Sequence, residues 1–149
     1  MFASFTKQGN VVAERAKNHA TRLGRSLVGT EHFLLAIGDT PECAGARVLE
    51  RLGWDKEAVR TAIRSATGSS DGETSRHSHD KELTMSLGAA MAPAAMSRLP
   101  RVGTHCILYG IVGDGETRAA DALSASGVDH QSIRVAVEAA IQQGDGDPD

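Results

Sequence analysis

Apolar residues recur along this chain at helical spacing, in short runs that each end at a glycine or a turn. Val12, Ala13, Ala16, Ala20 and Leu23 fall on one stripe, which Thr6 is placed to cap and Gly24 to close. Phe33, Leu34 and Ile37 mark a second, short helix that Thr30 is placed to cap, stopped by Gly38 and an Asp39-Thr40-Pro41 turn. Glu42 to Leu52 reads as a third helix, with Ala46, Val48, Leu49 and Leu52 apolar and Gly53 at its end. Asp55 caps a fourth that carries Ala58, Val59, Ala62 and Ile63 to near Gly68.

The same plan then repeats. Val28-Gly29-Thr30, Leu34 and Ile37 return as Val102-Gly103-Thr104, Leu108 and Ile111. At that one constant offset, without a gap, Glu42 meets Glu116, Ala46 meets Ala120, Leu49 meets Leu123, Gly53 meets Gly127, Asp55 meets Asp129 and Arg60 meets Arg134. An internal duplication of a four-helix unit predicts one pseudo-symmetric body, in which a site in one copy has a readable counterpart in the other. The boundaries read as repeat one over 1–68, a Ser- and Gly-rich linker over 69–79, repeat two over 80–143 and a disordered acidic tail over 144–149. The first helix of the second copy, roughly Asp80 to Arg98, contains Gly88 and Pro93. An interior proline removes a backbone donor and costs about 3 kcal/mol, so a kink or break is expected there.

Composition narrows the class. Of 149 residues 40% are hydrophobic, and sixteen glycines add to the small-residue share, which is ample for one globular core. Aromatics are few (Phe2, Phe5, Phe33, Trp54 and Tyr109) beside many Ala, Leu and Val, which favours close-packed short helices over a sheet sandwich. The expected fold class is all-α, with two pseudo-symmetric four-helix repeats and about eight helices. A net charge of -3 without a basic stripe argues against nucleic acid as a partner. No apolar run approaches the roughly 20 residues of a membrane span, and no charged start precedes an apolar segment, so a cytoplasmic protein is expected. Cys43 and Cys106 sit in no metal-ligand spacing and read as free thiols. No cofactor is expected, and a small duplicated domain is most simply a monomer.

Phe2, Phe5-Thr6, Leu23-Gly24, Val28-Gly29-Thr30-Glu31-His32-Phe33-Leu34-Leu35, Ala46, Val48-Leu49 and Leu52-Gly53 together resemble the first repeat of the N-terminal domain of ClpC-type chaperones. The second half resembles its second repeat. The resemblance implies an eight-helix, non-catalytic module that recruits substrates or adaptor proteins for an unfolding motor. No GxxxxGK[ST] phosphate loop occurs in this chain, so ATP hydrolysis is not expected of it. The partners implied are phosphoarginine-marked proteins, Clp adaptor proteins or cyclic peptides, and a full-length Clp chaperone whose proteolysis the module would modulate or for which it would act as a decoy.

In that family each repeat carries a phosphoarginine site, and the resemblance places the first at Thr30 and Glu31. The residue types suit it: a helix start favours the phosphoryl anion, and a carboxylate takes the guanidinium. The second site departs from the pattern, because His105 stands where Glu31 would recur and Cys106 where His32 would. A histidine does not hold a guanidinium as a carboxylate does, so Thr104 and His105 are expected to form a degenerate site. Cyclic peptide antibiotics bind such domains in a groove that includes a phenylalanine near the chain start, here Phe2. At the start of the second repeat Ser78-His79-Asp80-Lys81 offers no phenylalanine to match.

Plainer readings stand beside these. Glu31 can simply complement the dipole of its helix, worth about 0.3 to 1 kcal/mol. His32 reads as a packed structural histidine and Trp54 as a packing residue. His77 and His79 are isolated in the linker, and Arg22, Arg25 and Arg47 either border an anion site or are solvated. The alternative from another class is a metal- or thiol-dependent hydrolase using His105 and Cys106. Against it, adjacent residues on a helix point in different directions.

Overall fold

A computed structural model describes residues 5–67 and 78–147. Phe2 and most of the expected linker lie outside the described residues. The elements run α1 Lys7–Arg22, β1 Leu27–Val28, α2 Thr30–Gly38, α3 Ala44–Arg51, α4 Lys56–Thr67, β2 Ser78–His79, α5 Lys81–Met96, α6 Thr104–Val112, α7 Arg118–Ser124 and α8 His130–Gln142. The fold is all-α, with two four-helix units in series.

The caps read from sequence form at three starts. The Thr6 hydroxyl accepts the Gly9 N–H, Asp55 accepts the N–H groups of Glu57 and Ala58, and Asp129 accepts that of Ser132. Gly24 and Gly53 close α1 and α3 in the left-handed region, at φ 72° and 71°. The third helix, expected over Glu42 to Leu52, is shorter and is capped by Cys43. The Cys43 sulfur accepts the Ala46 N–H and its thiol reaches the Ile37 carbonyl. Thr117 does the same for α7, between the Ala120 N–H and the Ile111 carbonyl.

α2 and α6 are apolar on almost every face and form the centre, which is where such helices must lie. Every residue from Thr30 to Ile37 is buried, as is every residue of α6 except Tyr109. α3 and α5 pack on α6 through glycines. A Cβ on Gly110 would collide with the Ser86 carbonyl and sit 2.8 Å from the Ala90 nitrogen, so α5 and α6 touch backbone to backbone. Trp54 lies against Gly38 as a packing residue.

α5 runs through Pro93 without a break. Pro93 sits at the start of the last turn and is buried, and the carbonyl it deprives of a donor belongs to the exposed Ala89, where water can replace the lost bond. The linker boundary also moves. Ser78 and His79 form β2, which pairs in parallel with β1, Leu27 opposite Ser78 and Val28 opposite His79. Phe5 makes the equivalent parallel bridge to Val102. Each repeat therefore begins by pairing with the segment that precedes the central helix of the other. These two crossings place the start of α2 beside that of α7, and the start of α6 beside that of α3.

Candidate binding site

The first central helix opens one residue earlier than its sequence suggested, at Thr30 itself, and the second opens at Thr104 as expected. Gly29 and Gly103 are the N-caps, so Thr30 and Thr104 are first residues inside their helices and not caps. The cap is completed in the first repeat by His32, whose Nδ1 accepts the Gly29 N–H at 2.8 Å. That is a structural role. Cys106 takes its place in the second repeat, beside the Gly103 N–H. Burial dominates its chemistry and pushes the thiol up to about 11.

Freed from capping, the two threonine hydroxyls bridge between repeats. Thr30 accepts the Ala119 N–H at 3.1 Å and donates to Glu82 at 2.7 Å, while Glu82 also accepts the Arg118 N–H at 3.1 Å. Thr104 accepts the Gly45 N–H at 2.8 Å and donates to Asp147 at 2.8 Å, while Asp147 also accepts the Ala44 N–H at 2.7 Å. Ala119 and Gly45 are equivalent positions, as are Arg118 and Ala44. Each repeat thus has a cleft where two helix starts meet, a threonine joins them and a carboxylate closes the ring.

The walls of the two clefts differ in charge. In the first, Glu31 is 7% exposed and its Oε2 accepts the Arg118 Nε–H at 2.9 Å. The same guanidinium is paired with Asp80, and Glu82 lies 3.8 Å away. Glu31 Oε1 is buried without a hydrogen-bond partner. Beside it opens a cavity of about 290 Å³ that Arg25, Ile63 and Arg118 also line. In the second cleft the equivalents of Glu31, Asp80 and Arg118 are His105, Thr6 and Ala44. None of these is a charged residue at neutral pH: burial lowers the pKa of His105 despite Asp147 and Asp145 nearby, so the ring is neutral.

Into that cleft, which Arg101 also lines, the chain sends its own carboxylate. Residues 144–147 were expected to be disordered, but they fold back from α8. The Asp145 N–H bonds to the Ala140 carbonyl at 2.8 Å, and the Asp145 side chain pairs with Arg47 and Arg51. Arg47 therefore anchors chain and is not a solvated bystander. Asp147 then takes four donors: the Thr6 hydroxyl at 2.6 Å, the Ala44 and Thr104 N–H groups at 2.7 Å each, and the Thr104 hydroxyl. Burial alone would raise its carboxyl pKa, but these hydrogen bonds outweigh burial and hold it below the usual carboxylate value.

The structure thus brings Thr30 with Glu31, and Thr104 with His105, into matching clefts. Arg118, Glu82 and Asp147 were not found from sequence. Aligning Cys43 with Thr117, each three residues before an aligned alanine, was the available signal for the cap pair. Among the described residues no three His, Cys, Asp or Glu side chains gather as a metal site would require, and no helix is long and apolar enough to cross a membrane.

Comparison with known proteins places this architecture. The family model of the Clp repeat (R) N-terminal domain matches residues 4–97. The negative regulator of genetic competence ClpC/MecB of Bacillus subtilis is 30% identical over 134 residues, covering 90% of this chain and 16% of that protein. The chaperone protein ClpB of Oceanobacillus iheyensis is 28% identical over the same share of this chain, which spans 17% of it. Among solved structures, the Hsp104 N-terminal domain of Candida albicans superposes with a TM-score of 0.75 at 14% identity, covering 97% of this chain and 94% of that one. A ClpV N-domain in complex with a VipB peptide gives a TM-score of 0.74 at 18% identity, covering 97% and 89%. The chain belongs to the Clp repeat N-terminal domain family.

Proposed function

We propose that this chain is a non-catalytic binding module that captures segments of other polypeptides, and that its first-repeat cleft takes the guanidinium of a phosphoarginine-marked protein. Adaptor proteins are the second class of partner, as the peptide held by the similar ClpV N-domain suggests. Binding would deliver clients to a Clp chaperone or compete with it. The cyclic-peptide groove expected at Phe2 falls outside the described residues and draws no support from them.

One observation carries the reading: Glu31 already holds a guanidinium, that of Arg118. The Arg118 side chain is 43% exposed, so it can swing out and let an incoming arginine replace it on a carboxylate that is itself buried. Arg25 lines the same cavity and offers a cation to a phosphoryl group.

Burial of Cys106 tells against the thiol-dependent form of the hydrolase alternative. Cys106 is fully buried, and a thiol with a pKa near 11 stays protonated at neutral pH, whereas the thiolate is the reactive form.

Calorimetric titration with free phosphoarginine, with arginine as control, tests the proposal. Saturable binding at one site is expected. Glu31→Gln should weaken it by about 10- to 100-fold, the range for one charge-assisted hydrogen bond. Arg118→Ala should tighten it by removing the internal competitor. No heat with either the wild type or the Arg118→Ala variant would refute the phosphoarginine reading and leave peptides and adaptors.

A further inference from the structure

A third cavity, of about 330 Å³, lies in the first repeat at helix ends rather than helix starts. The last turn of α1 brings Arg22 to it, the end of α2 brings Asp39, and one face of α4 brings Arg60 and Arg64. Asp39 organises it. Its Oδ2 meets His19 Nε2 at 2.6 Å and its Oδ1 pairs with Lys56 at 2.7 Å. Burial would raise the Asp39 carboxyl pKa, but these partners outweigh burial and hold it below the usual carboxylate value. Arg15 donates to the Asp39 carbonyl and the Thr40 hydroxyl at 2.7 Å each, and Lys56 also reaches the Gly38 carbonyl at 3.3 Å. The carboxylate and the free carbonyls at the end of α2 thus engage Lys56 and Arg15. Three guanidinium groups remain. Arg60 stands 3.8 Å from Asp39 and from Glu57, beyond hydrogen-bond reach, and Arg22 and Arg64 have no carboxylate partner among the described residues. A cavity with one engaged carboxylate and three unengaged cations attracts an anion.

The second repeat shows that the four-helix unit does not require this arrangement. Arg22, Asp39 and Arg64 align with Met96, Gly113 and Glu138. Arg60 recurs as Arg134, but there Tyr109 stands in place of Leu35. The Arg134 guanidinium lies 4.6 Å from the Tyr109 ring centre and pairs with Asp114 at 3.2 Å. One copy satisfies its cation within the chain, and the other leaves its cations facing a cavity.

The buried Leu35 and Ile63 give the cavity an apolar wall, which suits the methylene stem of an acidic side chain better than a hydrated inorganic ion. Asp39 repels a doubly charged group more than a singly charged one. Ile63 also lines the cavity beside Glu31, so a polypeptide held at the first cleft runs close to this one.

We propose that this cavity takes the carboxylate of an aspartate or glutamate side chain in a bound polypeptide, held by Arg22, Arg60 and Arg64. This rests on reading the domain as a binding module, and it adds a preference for acidic segments that does not involve an arginine mark.

The test is an amide NMR titration of the whole chain with a short peptide of alternating glutamate and glycine, acetylated and amidated at its ends, beside its glutamine counterpart. Saturable shifts are expected at Asp39, Arg60 and Arg64 with the glutamate peptide and none with the glutamine one. Arg22→Gln/Arg64→Gln changes two exposed side chains and should weaken binding about three- to thirtyfold. Lys7→Gln/Lys81→Gln removes the same charge elsewhere on the surface and should leave the midpoint within about twofold. No saturation, an equal response to the glutamine peptide, or equal weakening by both double variants would overturn the proposal. So would saturation only by a glutamine peptide with a free C-terminus, which would assign the cavity to chain ends. The probe contains no arginine and its readout excludes Thr30 and Glu31, so a failed phosphoarginine titration leaves this proposal standing, and its own failure leaves the first-repeat reading intact.

Discussion

Thr6 and Asp80 hold equivalent positions before α1 and α5, and the exchange of a hydroxyl for a carboxylate helps set what each cleft contains. With Asp80 and Glu31 the first cleft gathers a guanidinium; with Thr6 and His105 the second gathers a carboxylate. The pH dependence of the second follows from its sign. Asp147 has a folded pKa below its unfolded one, so its contribution is fully present above the ordinary Asp value of about 3.9 and is lost as pH falls through the lower folded value. The Thr104 amide should accordingly be flat from pH 7 to about 5 and move only in acid, with a midpoint below 3.9. A midpoint above the ordinary value would mean that burial wins over the four hydrogen bonds. At this level the sequence was legible where chemistry is local: the caps Thr6, Asp55 and Asp129 and the structural role of His32 follow from neighbours a few residues away. Arg118 and Asp147 act across 87 and 43 residues, on Glu31 and Thr104, and nothing in their own surroundings marks them.

Helix α5 carries two glycine-related features with opposite consequences. Gly88 faces open space, with no atom within 4 Å of a built Cβ, whereas Gly110 on α6 lies on the backbone of α5. Gly88→Ala should therefore raise stability by about 0.5 to 1 kcal/mol through helix propensity alone. Gly110→Ala should lower it by roughly 1 to 3 kcal/mol or more, because backbone must move to admit the methyl group. Thermal melts of the two variants should shift in opposite directions; a tolerated Gly110→Ala would contradict the close approach of the two helices. Periodicity located all eight helices of the described residues because each carries an apolar stripe or run. It did not foresee that Pro93 would be passed without a break, since the exposure of Ala89 depends on how α5 lies on its neighbours.

The duplication was legible across the whole chain because the copies align without a gap, and the same alignment pairs the two clefts residue by residue. What the alignment left open is that each cleft is assembled from both copies. Thr30 meets Ala119, Thr104 meets Gly45, Val28 pairs with His79 and Val102 with Phe5. Neither repeat owns a complete cleft or the apolar surroundings of its central helix. A polypeptide cut between residues 72 and 73 should then behave as two complementary fragments, each unfolded alone and regaining helical circular dichroism only when mixed one to one. Independent folding of either fragment would show that the crossings are decorative. If the halves do require each other, a single ancestral repeat would have needed a second copy of itself to surround its central helix.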